Sequence, residues 1–281
     1  MIAIIANPKA RRFSVKKLMA IKEIFSTSYK KVDIFYTAGP MDGYKIAQKI
    51  GPSYKTICSY GGDGTLNEVI NGIVGFDVKL GILPCGTSDV FALELGLPRD
   101  ALKAAKRYLT PKYANIHLGM VNNRYFILMA GIGVDAAAVL DVNHRLKEYS
   151  GKLSYIISGI KSVRSFDKPI NVETPLGKKL CYSVIASNVK KYGGNFPIFN
   201  KASCFEKNLY VCLFYSKKSL WGITKSAIYL LFNIDSNLYE CFVADEIVVN
   251  SHFIPIQVDG DFAGFSPANI KATKKCIKVM I

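Results

Sequence analysis

The sequence predicts an α/β protein in two parts: a doubly wound parallel α/β domain over residues 1–116 and a mainly antiparallel β domain over residues 117–268. Two observations predict it. Through residue 115, short apolar runs alternate with stretches of helical periodicity, the β-α-β-α order that yields a parallel sheet flanked by helices. Beyond Ile116, strand-like segments dominate, and turn signals such as Pro175-Leu176-Gly177 punctuate them, as antiparallel pairing requires.

Residues 1–6, 32–36, 56–60 and 79–83 are apolar runs bounded by Gly, Pro or Asn and read as buried strands. Residues 14–25, 41–50, 65–74 and 88–95 read as the helices between them. In the second part, residues 125–130, 170–174, 182–188, 209–214, 240–249 and 254–259 read as strands. Helical patterns over residues 136–166 and 219–232 interrupt them, and residues 269–281 can pair with either domain.

Composition narrows the function classes. Half of the 281 residues are hydrophobic, ample for real cores. The formal charge of +16 favours an anionic partner: nucleic acid, an acidic membrane surface or a phosphorylated ligand. Its lysine pairs are scattered, which fits a broad basic face rather than a nucleic-acid-binding arm. With no helix-turn-helix pattern, zinc ligands or aromatic RNA-binding motif, nucleic acid is not an expected partner. The seven cysteines include no CxxC pair, so neither a zinc ribbon nor a disulfide framework is expected, and reduced cytosolic thiols are. His117, His144 and His252 lie too far apart in sequence to suggest a metal site. Residues 1–6 lack the basic start and long apolar stretch of a signal peptide, and no apolar stretch is long enough to span a bilayer. The expected location is cytoplasmic, with any membrane met from outside.

The chemistry sits in strand-to-helix loops, the places where ligands collect in parallel sheets. Tyr60-Gly61-Gly62-Asp63-Gly64-Thr65-Leu66-Asn67-Glu68 follows a strand and opens a helix. Its three glycines let the backbone approach a ligand and aim N–H groups at phosphate oxygens, and the helix start adds a favourable dipole. Asp63 offers a carboxylate to a phosphate-bound magnesium ion, directly or through water. The same residues also suit a tight turn with Thr65 as a helix N-cap. Leu83-Pro84-Cys85-Gly86-Thr87 repeats the logic, so Gly86 and the Thr87 hydroxyl can face the same crevice. Asn7-Pro8-Lys9 ends the first strand with Arg11 and Arg12 just beyond, and Thr37 sits past the second, either at the rim or as a turn residue. Val258-Asp259-Gly260-Asp261 has the Asp-Gly signal of a type I′ hairpin.

These motifs resemble the diacylglycerol kinase catalytic-domain family, which includes soluble bacterial lipid kinases and relatives of sphingosine and ceramide kinases. Asn7-Pro8, GGDGTLNE at 61–68, PxGT at 84–87 and GxGxDA at 131–136 carry the likeness, which spans nearly the whole chain. It implies transfer of the ATP γ-phosphoryl group, with Mg²⁺, to a lipid alcohol such as diacylglycerol at an anionic membrane surface. It places Asn7, Thr37, Gly61, Gly62, Asp63, Gly64, Thr65, Asn67, Glu68 and Thr87 around the nucleotide at a domain cleft, with Asp63 as the metal carboxylate. Asp261 stands where the family has a glutamate general base, and Asp135 resembles a carboxylate of its charge network, or else caps the helix that begins there. The oligomeric state is open, with a homodimer one expectation. The rival enzyme is an NAD kinase or other soluble kinase, although there the Asn-Glu pair lies much further along the chain. The rival of another class is a non-catalytic nucleotide- or nucleic-acid-binding protein.

Four further departures from the family pattern stand out. Lys9-Ala10-Arg11-Arg12 replaces small residues, Asp89 replaces an amide, and Val90 replaces a carboxylate. At the family's second-domain magnesium site only Glu206 remains as an acidic residue.

Overall fold

The structure is a computed structural model that describes residues 1–137, 139, 168–216, 220–232 and 234–281. Its first unit comprises Met1–Leu118, Gly193–Asn195 and Lys274–Ile281, and its second Gly119–Tyr192 and Phe196–Thr273.

In the first unit β1 (Ile2–Ala6), β2 (Val32–Tyr36), β3 (Thr56–Gly61) and β4 (Lys79–Pro84) alternate with α1 (Val15–Ser26), α2 (Asp42–Ile50) and α3 (Asp63–Ile73). Helices α4 (Val90–Glu94) and α5 (Ala101–Arg107) follow. The strands lie parallel in the order β2-β1-β3-β4. Every residue of β1 is buried, because it pairs with β2 and β3 and is covered on both faces, hence its unbroken apolar run. Ser14 caps α1 by accepting the Lys17 amide, and Leu18, Ile21 and Phe25 form the buried stripe of that helix. The β1–β2 crossover runs one way across the sheet and the next two run the other. Right-handed connections therefore put α1 on one face and α2 with α3 on the opposite one. Accordingly α1 packs on α5, and α2 on α3. The order reverses at β1, so the loops after β1 and β3 border the topological switch point. The last residues of β18 (Ala268–Met280) add a parallel strand beside β4, with Lys278 opposite Lys79.

The second unit is built on antiparallel pairing. The chain enters it along β5 (Tyr113–Val121), which turns back through β6 (Arg124–Phe126). One sheet has the order β14 (Tyr239–Ala244), β13 (Leu209–Phe214), β10 (Ser183–Ser187), β7 (Met129–Gly133), β16 (Pro255–Val258), β17 (Asp261–Phe265). Strands β15 (Glu246–Val249), β8 (Ile170–Thr174) and β9 (Gly177–Cys181) form another with the opening residues of β18. Ile132, Val184, Leu213 and Val258 from the first meet Ile170, Val172, Val249 and Ile270 from the second in one apolar cluster. Two facing sheets with interdigitated side chains make this core. A short ribbon, β11 (Lys191–Tyr192) with β12 (Phe196–Pro197), and helix α6 (Leu220–Leu231) complete the described elements. Leu230 of α6 is buried, whereas Ile228 and, just past the helix, Phe232 are exposed.

Several sequence expectations change. The single strand expected at 125–130 is two, β6 and β7, because the amides of Ile127, Leu128 and Met129 turn to the Asp259 carboxylate. The strand expected at 240–249 breaks at Asp245 into β14 and β15, which belong to different sheets. Helix α3 starts at Asp63, two residues early, with Gly62 rather than Thr65 at its N-cap. The pattern over 136–166 lies almost wholly outside the described residues. The expectation that all cysteines are reduced thiols is corrected: Cys212 and Cys241 face each other across β13 and β14 and form a disulfide. Cys58, Cys85, Cys181 and Cys204 are buried free thiols, and Cys276 is exposed.

Asp259 is 8 % exposed and its carboxylate accepts three backbone N–H groups, at 2.8 to 3.0 Å. Removing the acceptor strands those donors in a buried setting, each a cost of about 1–3 kcal/mol. Asp259→Ala is expected to lower the unfolding free energy by about 3 kcal/mol or more. Urea denaturation measures it, and a loss below about 1 kcal/mol contradicts the anchoring role.

Candidate active site

Three strand-end loops of the first unit converge at the switch point. Asn7, after β1, donates its side-chain amide to Thr65 Oγ1 at 2.9 Å, which ties the first loop to the start of α3. The Asn7 amide donates to the Tyr60 carbonyl and the Cys85 amide to the Gly61 carbonyl, at 3.0 and 2.9 Å. Thr37, buried past β2, donates its amide to the Ala6 carbonyl at 2.9 Å and so joins the same rim. The loops after β3 and β4 meet backbone to backbone. A Cβ on Gly86 would lie 2.7 Å from the Gly62 Cα, and one on Gly61 would lie 2.6 Å from the Thr65 Cβ. Gly64 is different: it is exposed, and nothing lies within 4 Å of where its Cβ would stand. Leu66 makes the first helical bond of α3, to the Gly62 carbonyl at 3.0 Å. Thr87, in the loop after β4, is exposed.

The two acidic residues of the glycine motif hold neighbouring helices. Asp63 accepts the Val90 and Phe91 amides at the start of α4, at 2.9 and 3.2 Å. Glu68 accepts the Met41 and Gly43 amides at the start of α2, at 2.8 and 2.9 Å. Each sets a negative charge against a helix N-terminus, where orphan donors and the helix dipole favour it. Asn67 is buried and its carbonyl oxygens accept the Asn71 amide within α3.

Arg12 and Asp89, two of the departures noted above, form one ion pair. The Asp89 side chain is 3 % exposed and also accepts the Gly86 amide at 2.9 Å, while Arg12 Nε donates to the Gly86 carbonyl at 2.7 Å. Burial pushes the Asp89 pKa above its ordinary value, and the Gly86 amide and Arg12 guanidinium pull against that rise.

In the second unit, Asp259 and Gly260 both take positive φ, and Val258 pairs with Asp261, so the Asp-Gly pair makes a type I′ turn. The turn presents Asp261 in the open, 55 % exposed, with Arg124 at 3.1 Å. Tyr192 donates to one Asp135 oxygen and Gln257 to the other. Glu206 is exposed. Among the described residues no three His, Cys, Asp or Glu side chains gather as a metal cluster. Sequence reading missed Gly43, whose Cβ would lie 2.8 Å from Glu68 Oε2, and Gln257, a polar residue in an otherwise apolar strand.

Residues 1–121 match the family model of the diacylglycerol kinase catalytic domain. Those residues belong to the diacylglycerol kinase catalytic-domain family. The match is to a kinase catalytic domain, so the chemistry it marks over those residues is phosphoryl transfer. A diacylglycerol kinase of Bacillus subtilis is 29 % identical over 289 aligned positions, covering 99 % of this chain and 95 % of that protein. One from Staphylococcus haemolyticus is 39 % identical over 110 positions, 38 % of this chain and 33 % of the other. A crystal structure of a diacylglycerol kinase from Bacillus anthracis shares the fold at a TM-score of 0.78 and 20 % identity, covering 99 % and 96 % of the two chains.

The Arg12–Asp89 pair makes a pH-dependent prediction. Arg12→Gln leaves Asp89 buried without its countercharge, which at pH 7.5 is expected to cost about 2–3 kcal/mol of stability. Without Arg12 the folded-state pKa rises further above the unfolded value, so the folded state binds the proton more readily. The cost therefore shrinks as pH falls from neutrality towards the ordinary carboxylate range. Denaturation at pH 7.5 and pH 5 tests this, and an equal loss at both contradicts it.

Proposed function

We propose that the protein is an ATP-dependent lipid kinase that transfers the γ-phosphoryl group to a hydroxyl of a membrane lipid of the diacylglycerol class. The observation that carries this reading is the open space at Gly64 in the first turn of α3, on the border of the switch point. Backbone N–H groups and the helix dipole there suit phosphate oxygens, and the absent side chain leaves them accessible. In this reading residues 1–116 bind the nucleotide and residues 117–268 receive the lipid. Asn7, Thr37, Gly61, Gly62, Gly64, Thr65 and Thr87 frame the phosphates, while Asp63, Asn67 and Glu68 keep the loop and its helices in place.

Phosphoryl transfer depends mainly on positioning and on neutralising charge, so a loop of amides and one well-placed base suffice. Asp261 accepts the proton of the lipid hydroxyl as its oxygen attacks the γ-phosphorus and ADP leaves. Magnesium, carried by the triphosphate, would neutralise part of the phosphate charge. The loop offers it the single carboxylate of Asp63, whose oxygens already accept the α4 amides, so contact through water fits the donor set better than direct ligation. Among the described residues no helix is long and apolar enough to cross a membrane. The charge of +16 and exposed aromatic residues such as Phe253 and Phe265 support docking on anionic lipid from one side.

Two experiments bear on this directly. Purified protein with [γ-³²P]ATP and diacylglycerol in mixed micelles is expected to yield labelled phosphatidic acid, and Asp261→Asn to lower kcat by about 100-fold or more. Labelled NADP as the main product instead would move the protein to the soluble kinases. Gly64→Ala separates a phosphate cradle from a plain turn. The new methyl group meets nothing in the protein and raises helix propensity, so thermal stability should hold or improve while the KM for ATP rises about tenfold. An unchanged KM for ATP removes the cradle.

A further inference from the structure

Asp261 owes its presentation to a turn whose own anchorage reaches deeper into the second unit. The Gln257 side chain is 2 % exposed, and both ends of its amide are bonded. Its Nε2 donates to Asp135 Oδ2 at 2.7 Å, and its Oε1 accepts the Gly260 backbone N–H at 2.8 Å. Because Asp135 offers an acceptor and Gly260 a donor, the amide has a single satisfied orientation. Tyr192 donates its hydroxyl to the second Asp135 oxygen. Among the described residues the Asp135 carboxylate meets these two partners and no charged group, and burial pushes its pKa up against both hydrogen bonds. The neighbouring strand is shaped for this chain of bonds. Gly131 stands opposite Gln257 in the β7–β16 register, and a Cβ there would lie 2.1 Å from Asp135 Oδ2 and 2.8 Å from Gln257 Nε2.

We propose that Gln257 is the positioning residue for Asp261, held by Asp135 at one end of its side-chain amide and holding the Gly260 backbone at the other. The inference rests on the reading of Asp261 as the base that accepts the lipid hydroxyl proton. Asp259 fastens the same turn to the amides of residues 127–129, so the two side chains grip it from adjacent positions. Asp259 fixes where the turn sits, and Gln257 fixes the direction in which its last residue leaves. A displacement near 1 Å in a reacting group can cost about 100-fold in rate, so loss of the Gly260 bond is read in kcat and not in nucleotide binding.

Lipid kinase assays over pH 5.5–9 on four variants of the full chain test it. Gln257→Leu removes both bonds at similar volume and is expected to lower kcat about 10–100-fold while the KM for ATP stays within about twofold. Gln257→Glu sets a second carboxylate against Asp135. The two can share one proton at low pH, so kcat should fall as pH rises and that proton leaves. In the double variant Asp135→Asn/Gln257→Glu, the asparagine amide donates to the new carboxylate, which still accepts the Gly260 N–H. It should regain kcat to within about threefold of wild type and lose the added pH dependence. A merely structural role would shift melting temperature without this reversal, so melting temperatures are recorded alongside. Wild-type kcat in Gln257→Leu, or a double variant no better than Gln257→Glu, overturns the proposal. Asp261→Asn separates the two levels. If it is inactive while the Gln257 variants behave like wild type, only the positioning role falls; if it keeps full activity, the base assignment falls and the positioning role with it.

Discussion

Two loops can bring their Cα atoms together this closely only where no Cβ stands between them, and the first unit is organised around one such place. Gly62 and Gly86 stand so close that a Cβ on either would press against the other loop, at 3.2 Å in one case and 2.7 Å in the other. That approach brings the chain after β3 against the chain after β4 and puts Asp63 within reach of the first amides of α4. It also places the Gly86 carbonyl where Arg12, from the loop after β1, can bond it. The sheet order had already made this rim the natural place for a ligand, because the crossovers diverge at β1. The glycine contact narrows the rim to a few residues around the start of α3, where Gly64 is exposed.

The second unit solves a related problem with carboxylates. Asp259 and Asp261 stand on either side of one glycine, yet their surroundings are opposite. Asp259 is buried and spends its oxygens on three backbone amides, and Asp261 is exposed beside Arg124. A type I′ turn produces this split, since its two positive-φ residues reverse the chain tightly enough to send neighbouring side chains in different directions. A carboxylate on a rigid hairpin loses less order on binding than one on a long loop, and Asp259, two positions away, ties this turn to the backbone of residues 127–129.

What the sequence revealed follows from how local each signal is. β1, β3 and β4 were legible because strands buried along nearly their whole length leave continuous apolar runs, and β2 and β13 fell within the expected bounds to the residue. β9 and β17 were not, since both are edge strands rich in exposed residues. Helix α5 went unread although Asp100 stands at its start as a capping residue, accepting the Leu102 and Lys103 amides. The glycine loop announced a phosphate-sized opening, but the partners of its carboxylates did not announce themselves. Asp63 bonds amides 27 and 28 residues away and Glu68 amides 25 and 27 away, distances at which no periodicity speaks. The Cys212–Cys241 bridge was hidden for the same reason, because only the β13–β14 register brings the two together.

The Arg12–Asp89 pair shows why departures from a family pattern are better weighed in pairs than singly. Taken alone, an arginine after Asn7-Pro8 adds a charge at the rim, and an aspartate in place of an amide adds a buried one. Together they cancel. An unpaired carboxylate at 3 % exposure would cost several kcal/mol, and Arg12 reaches it while its remaining donors bond the Gly86 and Arg99 carbonyls. The same aspartate caps its own loop through the Gly86 amide, in the left-handed conformation that aspartate tolerates better than most residues. Val90 loses a carboxylate at the next position, but its amide is bonded by Asp63, so the start of α4 keeps an acidic partner from another element. The local charge balance and the glycine contact are both kept with these residues in place, so the two departures offset each other within the loop.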